Sequence, residues 1–242
     1  MLKTLKKIYI QEQFNPKIFG IFINPFYFAR KGLHEGVSEL IINLDGKLLD
    51  IGCGDKPYKS LCSVNEYIGL EIDDEGNRNH SHADVFYDGK KIPFEDRYFD
   101  SIIANQVFEH VFNPNKFLKE INRVTKDNGL FLLTVPFVWD EHEQPFDFAR
   151  YSSFGLKHIL SEHGFEIIEH RKSNNGIEVI FQLFNDYIYK KTLTKSFFLN
   201  FIIAIIFMAP VNIVGLFFSK IFPRNNDLYL DNIVLAKKIR SA

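Results

Sequence analysis

Short apolar runs bounded by polar residues recur along the chain and alternate with segments whose apolar residues have helical spacing. A short apolar run of this kind is typical of a buried strand, and helical spacing indicates a helix packed on one face. The runs predict seven strands, at Lys47–Asp50, Glu66–Ile72, Ala83–Tyr87, Ser101–Ala104, Leu130–Val135, Phe165–Arg171 and Leu228–Ile239. Helices are predicted at Ala29–Ile42, at Pro57–Ser63, from Pro114 to the residue before Gly129, and at Phe154–His163.

The stretch KLLDIGCGDKPY, residues 47–58, joins the first strand to a turn with two glycines. Gly52 and Gly54 let the backbone turn sharply and come close to a ligand. A dinucleotide fingerprint requires a third glycine three positions after the second, where this chain has Pro57. Asp50 would repel a diphosphate but pair with an ammonium group, so the turn favours a cofactor with a cationic amine.

This stretch resembles motif I of class I S-adenosylmethionine-dependent methyltransferases, and GCGDKPY is similar to a variant in the type 11 group. The resemblance covers about residues 44–172 and the last strand, with Lys56 where the family has its third glycine. It implies S-adenosyl-L-methionine as the cofactor. It also implies an α/β fold with a Rossmann-like seven-stranded sheet, parallel with one antiparallel strand and flanked by helices. An apolar helical insertion precedes the last strand.

Cofactor contacts are expected at the carboxyl ends of the strands, where open α/β sheets bind their ligands. By the resemblance, Asp50, Gly52 and Gly54 form the cofactor loop, and Glu71 binds the two ribose hydroxyls. Asp88, after the third strand, is the candidate for the adenine amino group, with Asp84 at the opposite end of that strand as the weaker choice. The fourth strand delivers Asn105 and Gln106 toward the sulfonium and the acceptor.

Glu109 and His110 match a dipeptide that follows the fourth strand in type 11 methyltransferases. In related ubiquinone-pathway enzymes a glutamate three residues earlier helps to bind a divalent metal. Here that residue is the uncharged Gln106, so we predict no metal site. His110 is a candidate base for methyl transfer, and its alternative role is to cap the turn between strand and helix.

The long segment PFVWDEHEQPFDFARYSS follows the fifth strand at the ligand-binding edge. Loops of this length in a compact domain are usually functional. The segment is similar to "WDEHEQP…RY" segments of methyltransferases from surface-polysaccharide clusters, which implies acceptor recognition. His142 is therefore a second candidate base, and its alternative is an exposed loop histidine.

An apolar insertion separates the sixth strand from the seventh. Its Ser196–Ser219 run has no charged residue and is long enough to cross a bilayer. One crossing would leave the last strand on the wrong side, and Pro210 divides the run into two short halves. We therefore predict a helix pair attached to one membrane face, with flanking basic residues at Lys190, Lys191, Lys195, Lys220 and Arg224. The alternative is a buried hairpin or dimer interface, which Asn200 and Asn212 favour.

Composition limits the other possibilities. The 242 residues, 46% hydrophobic, can hold one α/β domain and an additional part. The net charge of -1 gives no reason to expect nucleic acid, and two cysteines fit a reduced cytoplasm. We divide the chain into an N-terminal helical cap (1–43), a methyltransferase domain (44–175 and 227–242) and the insertion (176–226). The cap contains several aromatic residues, which either form a lid or an interfacial membrane anchor, or pack in the core. They are Phe19, Phe22, Phe26, Tyr27 and Phe28.

These features predict methyl transfer from S-adenosylmethionine to a small-molecule or lipid-linked acceptor, such as a polyprenyl-linked sugar or a quinone precursor. The acceptor atom is expected to be a hydroxyl, and the protein is expected at the cytoplasmic face of the membrane. One alternative is a catalytically silent cofactor-binding subunit that docks a partner enzyme at the membrane. A nicotinamide-dependent oxidoreductase is disfavoured by Pro57 and Asp50.

Overall fold

The computed structural model describes Tyr9 and residues 11–239. Seven strands are present, β1 Lys47–Ile51, β2 Glu66–Ile72, β3 Val85–Tyr87, β4 Phe99–Asn105, β5 Thr125–Pro136, β6 Phe165–Lys172 and β7 Asp231–Lys238. The α-helices are α1 Gly20–Ile23, α2 Tyr27–Ile41, α3 Glu75–His80, α4 Pro114–Val124, α5 Ser153–Glu162, α6 Ile177–Thr192, α7 Phe197–Ile203 and α8 Ala209–Ser219. Short 3-10 turns lie at Lys59–Leu61 and Phe108–His110, and a π-helical turn, Ala204–Met208, joins α7 to α8.

All seven strands form one sheet in the order β3-β2-β1-β4-β5-β7-β6. The strand β1 lies parallel to both β2 and β4, with Ile51 opposite Leu70 on one side and Ala104 on the other. Six strands are parallel and one is antiparallel. The antiparallel strand is β7, because the N–H of Ile239 donates to the carbonyl of Gly164 near the start of β6. The predicted fold class is confirmed.

The core of the sheet is built from fully buried apolar side chains. Leu49 and Ile51 of β1 and Phe131 of β5 belong to one hydrophobic cluster with Leu118 and Ile121 of α4. Asn113 caps α4 by accepting the N–H of Lys116, and Pro114 occupies the first turn, as the sequence predicted. This packing fixes the carboxyl ends of β1, β2 and β4 at one edge of the sheet.

The chain forms two compact units. The sheet unit contains residues 37–137, 141–171 and 232–239. The helical unit contains residues 11–36, 138–140 and 172–231, so the N-terminal segment and the insertion belong to the same unit. The three-part domain division drawn from the sequence stays a prediction.

The insertion does not have the helix pair that Pro210 predicted. A single helix runs continuously from Phe197 to Ser219, so the prediction of a break at the proline is wrong. Proline cannot donate a backbone hydrogen bond, and its ring clashes with the preceding turn of a regular α-helix. The π-helical turn before it widens the helix, since the N–H of Ala209 donates to the carbonyl of Ala204, five residues back. The chain reverses instead at residues 193–196, between α6 and this long helix.

The aromatic residues of the N-terminal segment divide into two groups. Tyr27 and Phe28, at the start of α2, are buried core residues. Phe19 and Phe22 are exposed. Phe26 is half-buried and packs edge-on against Tyr189, with ring centroids 4.9 Å apart. The core-packing interpretation therefore holds for Phe26, Tyr27 and Phe28 but not for the exposed pair.

A buried lysine gives a test of this packing. Lys238 of β7 donates from Nζ to the carbonyls of Asn122 (2.7 Å) and Thr125 (2.8 Å) at the end of α4. We expect Lys238→Met to lower the free energy of unfolding by about 2 kcal/mol, because two buried carbonyls lose a charged donor. Lys237→Met, on the other face of the strand, is the control and should change it by less than about 0.5 kcal/mol. Urea unfolding followed by circular dichroism measures both, and equal losses would contradict this role of Lys238.

Candidate active site

The turn after β1 is shaped by its two glycines. Gly52 has φ +67° and Gly54 has φ +45°, backbone conformations that L side chains rarely adopt. The N–H groups of Gly52 and Cys53 donate to the carbonyl of Leu70, which ties the turn to β2. A Cβ on Gly52 would lie 2.3 Å from Val107, whereas a Cβ on Gly54 would meet nothing within 4 Å. The turn is therefore tightly packed at Gly52 and leaves open space at Gly54, on the side where the cofactor is predicted.

Glu71 lies beside this open space, near the carboxyl end of β2. Its Oε2 accepts the N–H of Gly54 at 3.1 Å. Burial raises the pKa of the Glu71 carboxyl, although the N–H groups of Gly54 and Ile72 offset part of that effect. The structure therefore brings the predicted ribose-binding residue to the glycine turn.

Asp50 is buried within β1 rather than exposed on the turn. Its Oδ2 accepts the hydroxyl of Tyr67 at 2.5 Å, a contact that the sequence analysis missed. Burial raises the pKa of Asp50 to about 7, and the hydrogen bond from Tyr67 counteracts only part of the rise. A contact of Asp50 with the amine of the cofactor stays a prediction.

Lys56 replaces the family's third glycine without filling the open space at Gly54. It adopts φ +54°, and its Nζ lies 2.6 Å from Oδ2 of Asp84. The same oxygen accepts the N–H of Gly69 at 2.7 Å. Asp84 is thus already bound within the protein, which agrees with its ranking as the weaker adenine candidate.

Asp88 directly follows β3, where the sequence placed it. Its Oδ1 accepts the N–H of Lys90 at 2.9 Å and of Lys91 at 3.3 Å, which holds its turn in place. These backbone contacts lower the pKa of Asp88, so the group is a carboxylate at neutral pH. A carboxylate suits the exocyclic amine of an adenine, and that role stays a prediction.

The end of β4 is organised by Thr134 of the neighbouring strand β5, which the sequence analysis missed. The Thr134 hydroxyl donates to Oδ1 of Asn105 at 2.9 Å and accepts the backbone N–H of Gln106 at 3.0 Å. Gln106 has φ +55°, an uncommon conformation for a residue other than glycine. Asn105 and Gln106 are therefore fixed at the same sheet edge as Glu71.

The two candidate histidines lie together, with ring centroids 4.9 Å apart. The Nδ1 atom of His110 is 2.7 Å from the carbonyl of Phe146. Since a carbonyl only accepts, Nδ1 carries a proton. The Nε2 atom of His110 lies 3.8 Å from the buried carboxylate of Glu109 and 3.7 Å from the exposed carboxylate of Glu143. The structure thus brings both predicted bases into one cluster.

His142 is oriented by a carboxylate that the sequence analysis did not single out. Oδ2 of Asp147 accepts the backbone N–H of His142 at 3.0 Å and lies 3.2 Å from its Nδ1. Arg150 donates to both oxygens of Asp147, at 2.5 and 2.6 Å. Burial opposes ionisation of Asp147, but the hydrogen bonds from Arg150 and His142 outweigh it and lower the pKa to about 2. The sequence signal that could have identified this contact is the close spacing of His142, Asp147 and Arg150 within one long loop.

This cluster also has the donor atoms of a metal site. One ligand atom from each of Glu109, His110 and His142 lies within 4.8 Å of the other two. Two imidazoles and a carboxylate suit a divalent transition metal better than magnesium. The prediction that the protein binds no metal stays a prediction.

Comparison with known proteins agrees with this geometry. The family described as "Methyltransferase domain" matches residues 26–170, more than half of the chain. The chain belongs to this family. A solved S-adenosylmethionine-dependent methyltransferase from Archaeoglobus fulgidus has a TM-score of 0.55 at 18% identity. That match covers 96% of this chain and 99% of the other.

Two further proteins are similar over part of their length. A Haemonchus contortus phosphoethanolamine N-methyltransferase, solved with phosphomonomethylethanolamine and S-adenosylhomocysteine, has a TM-score of 0.54 at 17% identity. It covers 97% of this chain and 57% of that protein. The sterol 4-C-methyltransferase strm-1 of Caenorhabditis elegans is 33% identical over 122 residues, which are 43% of this chain and 36% of the relative. The chain spans less than half the length of this relative. The structural likeness shows the fold, a class I methyltransferase fold.

The placement of Glu71 predicts a loss of cofactor affinity. Glu71→Gln should raise the dissociation constant for S-adenosylhomocysteine roughly ten- to a hundredfold, because a charged acceptor facing the ribose is lost. Glu66→Gln, at the other end of the same strand, is the matched control and should leave affinity unchanged. Calorimetric titration measures both variants. Unchanged affinity of Glu71→Gln would remove this residue from the cofactor site.

Proposed function

We propose that this chain transfers a methyl group from S-adenosylmethionine to a hydroxyl of a lipid-linked acceptor at the cytoplasmic face of the membrane. A polyprenyl-linked sugar or a quinone precursor fits this description. The main support is the position of His142, held by Asp147 in the cluster that follows β4 and β5. The alternative is a silent cofactor-binding subunit that docks a partner enzyme.

The cofactor supplies an electrophilic methyl group on a sulfonium centre when it is bound. The chain's own part is alignment, since an in-line displacement depends mainly on holding the two reactants in position. The glycine turn and Glu71 lie at the ends of β1 and β2. Asn105 and Gln106 are fixed at the end of the neighbouring strand β4, shortly before His110 in the chain.

A hydroxyl acceptor must lose its proton as the new carbon–oxygen bond forms. Asp147 remains ionised at neutral pH and faces Nδ1 of His142, which favours the tautomer with its proton on Nδ1. The guanidinium nitrogen of Arg150 is farther from Nδ1, at 3.4 Å, and already donates to Asp147. Nε2 of His142 is then the atom that accepts the hydroxyl proton.

Exposed phenylalanines lie around this cluster and suit an apolar part of the acceptor. The carbonyl of Phe146 binds His110 while its ring is exposed, and Phe148 is also exposed. Phe112 packs edge-on against Phe148, with ring centroids 5.2 Å apart, and is itself 82% exposed. Solvent-exposed aromatic clusters of this kind mark binding surfaces. The relative from C. elegans carries the name of a methyltransferase for sterols, which are also apolar.

The proposed base predicts a specific loss of rate. His142→Ala should lower kcat by about a hundredfold or more, with little change in cofactor affinity, because the proton has no acceptor. Asp147→Asn should lower kcat by a smaller factor, since the imidazole remains but loses its orientation. Transfer of radiolabelled methyl groups to a membrane lipid extract measures the rate. A loss in His110→Ala with none in His142→Ala would assign the base to His110 instead.

Binding of the cofactor without label transfer to any lipid or aqueous extract would favour the silent subunit. Label transfer only to the aqueous extract would overturn the lipid-linked acceptor and leave methyl transfer standing.

The exposed phenylalanines predict a preference for acceptors with an apolar tail. Phe146→Ser with Phe148→Ser should raise KM for the lipid acceptor about tenfold, since less apolar surface is buried. The same double variant should leave KM for a tail-less analogue of that acceptor unchanged. Competition assays with both substrates measure the difference, and an equal change for both would contradict a tail-binding role.

A further inference from the structure

The long helix Phe197–Ser219 in the helical unit exposes large apolar side chains and buries mostly polar or small ones. Its buried stripe is Ala204, Met208, Asn212 and Gly215. Its exposed stripe is Ile206, Phe207, Pro210, Ile213 and Phe217. This is the reverse of the amphipathic pattern expected for a helix on a water-exposed surface. Only 28% of its most apolar window is buried within the protein.

The inward face makes a network of polar side chains. Asn212 donates to the carbonyls of Ile21 (2.9 Å) and Asn24 (3.2 Å), and Asn185 of α6 donates to Asn212 at 2.8 Å. A Cβ on Gly215 would lie 2.8 Å from the ring of Phe28, so the helix packs closely on this side. Polar groups that face the interior and apolar side chains that face outward are typical of proteins in contact with lipid.

The two asparagines of the apolar run are therefore compatible with a lipid-facing helix. Asn200 binds Thr194 at the start of the helix, and Asn212 is buried in the network. The hairpin of α6 and the long helix is not a buried element within the described residues, since Phe198, Phe207 and Phe217 are more than half exposed.

Basic residues stand at both ends of the helix. Lys191 and Lys195 lie at the hairpin turn, and Lys220 and Arg224 lie at the other end, all four of them exposed. Lys190 is different, because it pairs with Asp140 within the helical unit. At 1.5 Å per residue the 23-residue helix is about 34 Å long, so these charges are far apart. Because both ends of the helix carry positive charges, the helix can contact an anionic lipid surface along its whole length.

The packing at the middle of the helix determines its orientation. The segment that binds Asn212 is not a continuous helix, and it contains Glu12, whose carboxylate accepts the N–H groups of Lys17 and Gly20. If the helix crossed a bilayer, this irregular segment and its acidic side chain would lie at the same depth as the helix centre. Irregular backbone is excluded from hydrocarbon unless it is enclosed by protein or water. A helix parallel to the membrane keeps that segment on the aqueous side.

We propose that the helix Phe197–Ser219 lies in the plane of an anionic lipid bilayer, with the stripe Ile206, Phe207, Pro210, Ile213 and Phe217 among the acyl chains. The occupant of this surface is the lipid bilayer, and neither a second copy of the chain nor a partner protein is required. Attachment to lipid is a property separate from methyl transfer, because lipid binding is measured without an acceptor.

Binding of the full chain to vesicles tests the surface. The probes are phosphatidylcholine vesicles and vesicles with about one-third phosphatidylglycerol, with flotation as the readout. We expect binding that is stronger for the anionic vesicles and weakens with salt. Phe207→Ser with Phe217→Ser should weaken it at least tenfold. Ile42→Ser with Ile168→Ser removes two similarly exposed apolar side chains from the sheet unit and should leave it unchanged.

Depth-dependent quenching tests the orientation. Trp139→Phe removes the only tryptophan, and single variants Phe198→Trp, Phe207→Trp and Phe217→Trp place a probe near each end and near the middle. Lipids brominated at different depths should quench all three equally and at a shallow depth. Deepest quenching at position 207 would show a spanning helix, and deepest quenching at 198 would show a hairpin inserted by its turn. Either result overturns the in-plane arrangement.

Two further outcomes overturn lipid attachment itself. One is no binding to either vesicle. The other is a lipid-free dimer that Phe207→Ser with Phe217→Ser dissociates. Binding of S-adenosylhomocysteine, measured on the same sample, distinguishes these outcomes from a failure of the proposed function.

Discussion

The left-handed turn at Gly52 is the constraint on which the candidate active site depends. Its N–H donates to Leu70 of β2, and Val107, after β4, leaves no room for a Cβ. The chain therefore turns sharply at the end of β1, between the parallel strands β2 and β4. This brings Glu71 on one side and Asn105 on the other to the same edge.

The long loop that carries His142 is held by backbone contacts rather than by a regular element. The Phe146 carbonyl binds His110, and the carbonyl of Glu109 accepts the N–H groups of Phe148 and Ala149. The long loop is thereby attached to the turn after β4. Asp147 and Arg150 then fix His142 within that loop, so one segment supplies both the candidate base and the exposed aromatic rings beside it.

The two units bury their polar groups in opposite ways. The sheet unit encloses an apolar cluster that includes Leu49, Phe99 and Phe131. The helical unit encloses Gln182, Asn185 and Asn212 and exposes a row of large apolar side chains. Because burying an unpaired amide is costly, the hydrogen bonds that these side chains make fix how the helices pack. Its outer surface carries the exposed apolar side chains of the helix Phe197–Ser219.

The sequence by itself predicted seven strands and the glycine turn, because apolar periodicity and glycine conformation act over a few residues. The family followed from the resemblance of residues 47–58 to motif I of the methyltransferases. The sequence missed the start of β5 at Thr125. It placed Glu71, Asp88, His110 and His142 at strand ends and loops, where the structure has them. It was wrong about Pro210, because the π-helical turn Ala204–Met208 directly before the proline accommodates its ring. The hydroxyl of Thr134 between β4 and β5 and the pair of Asp147 with His142 were decided only by tertiary structure. A side chain's partner depends on which strands and loops come together, and local sequence does not encode that.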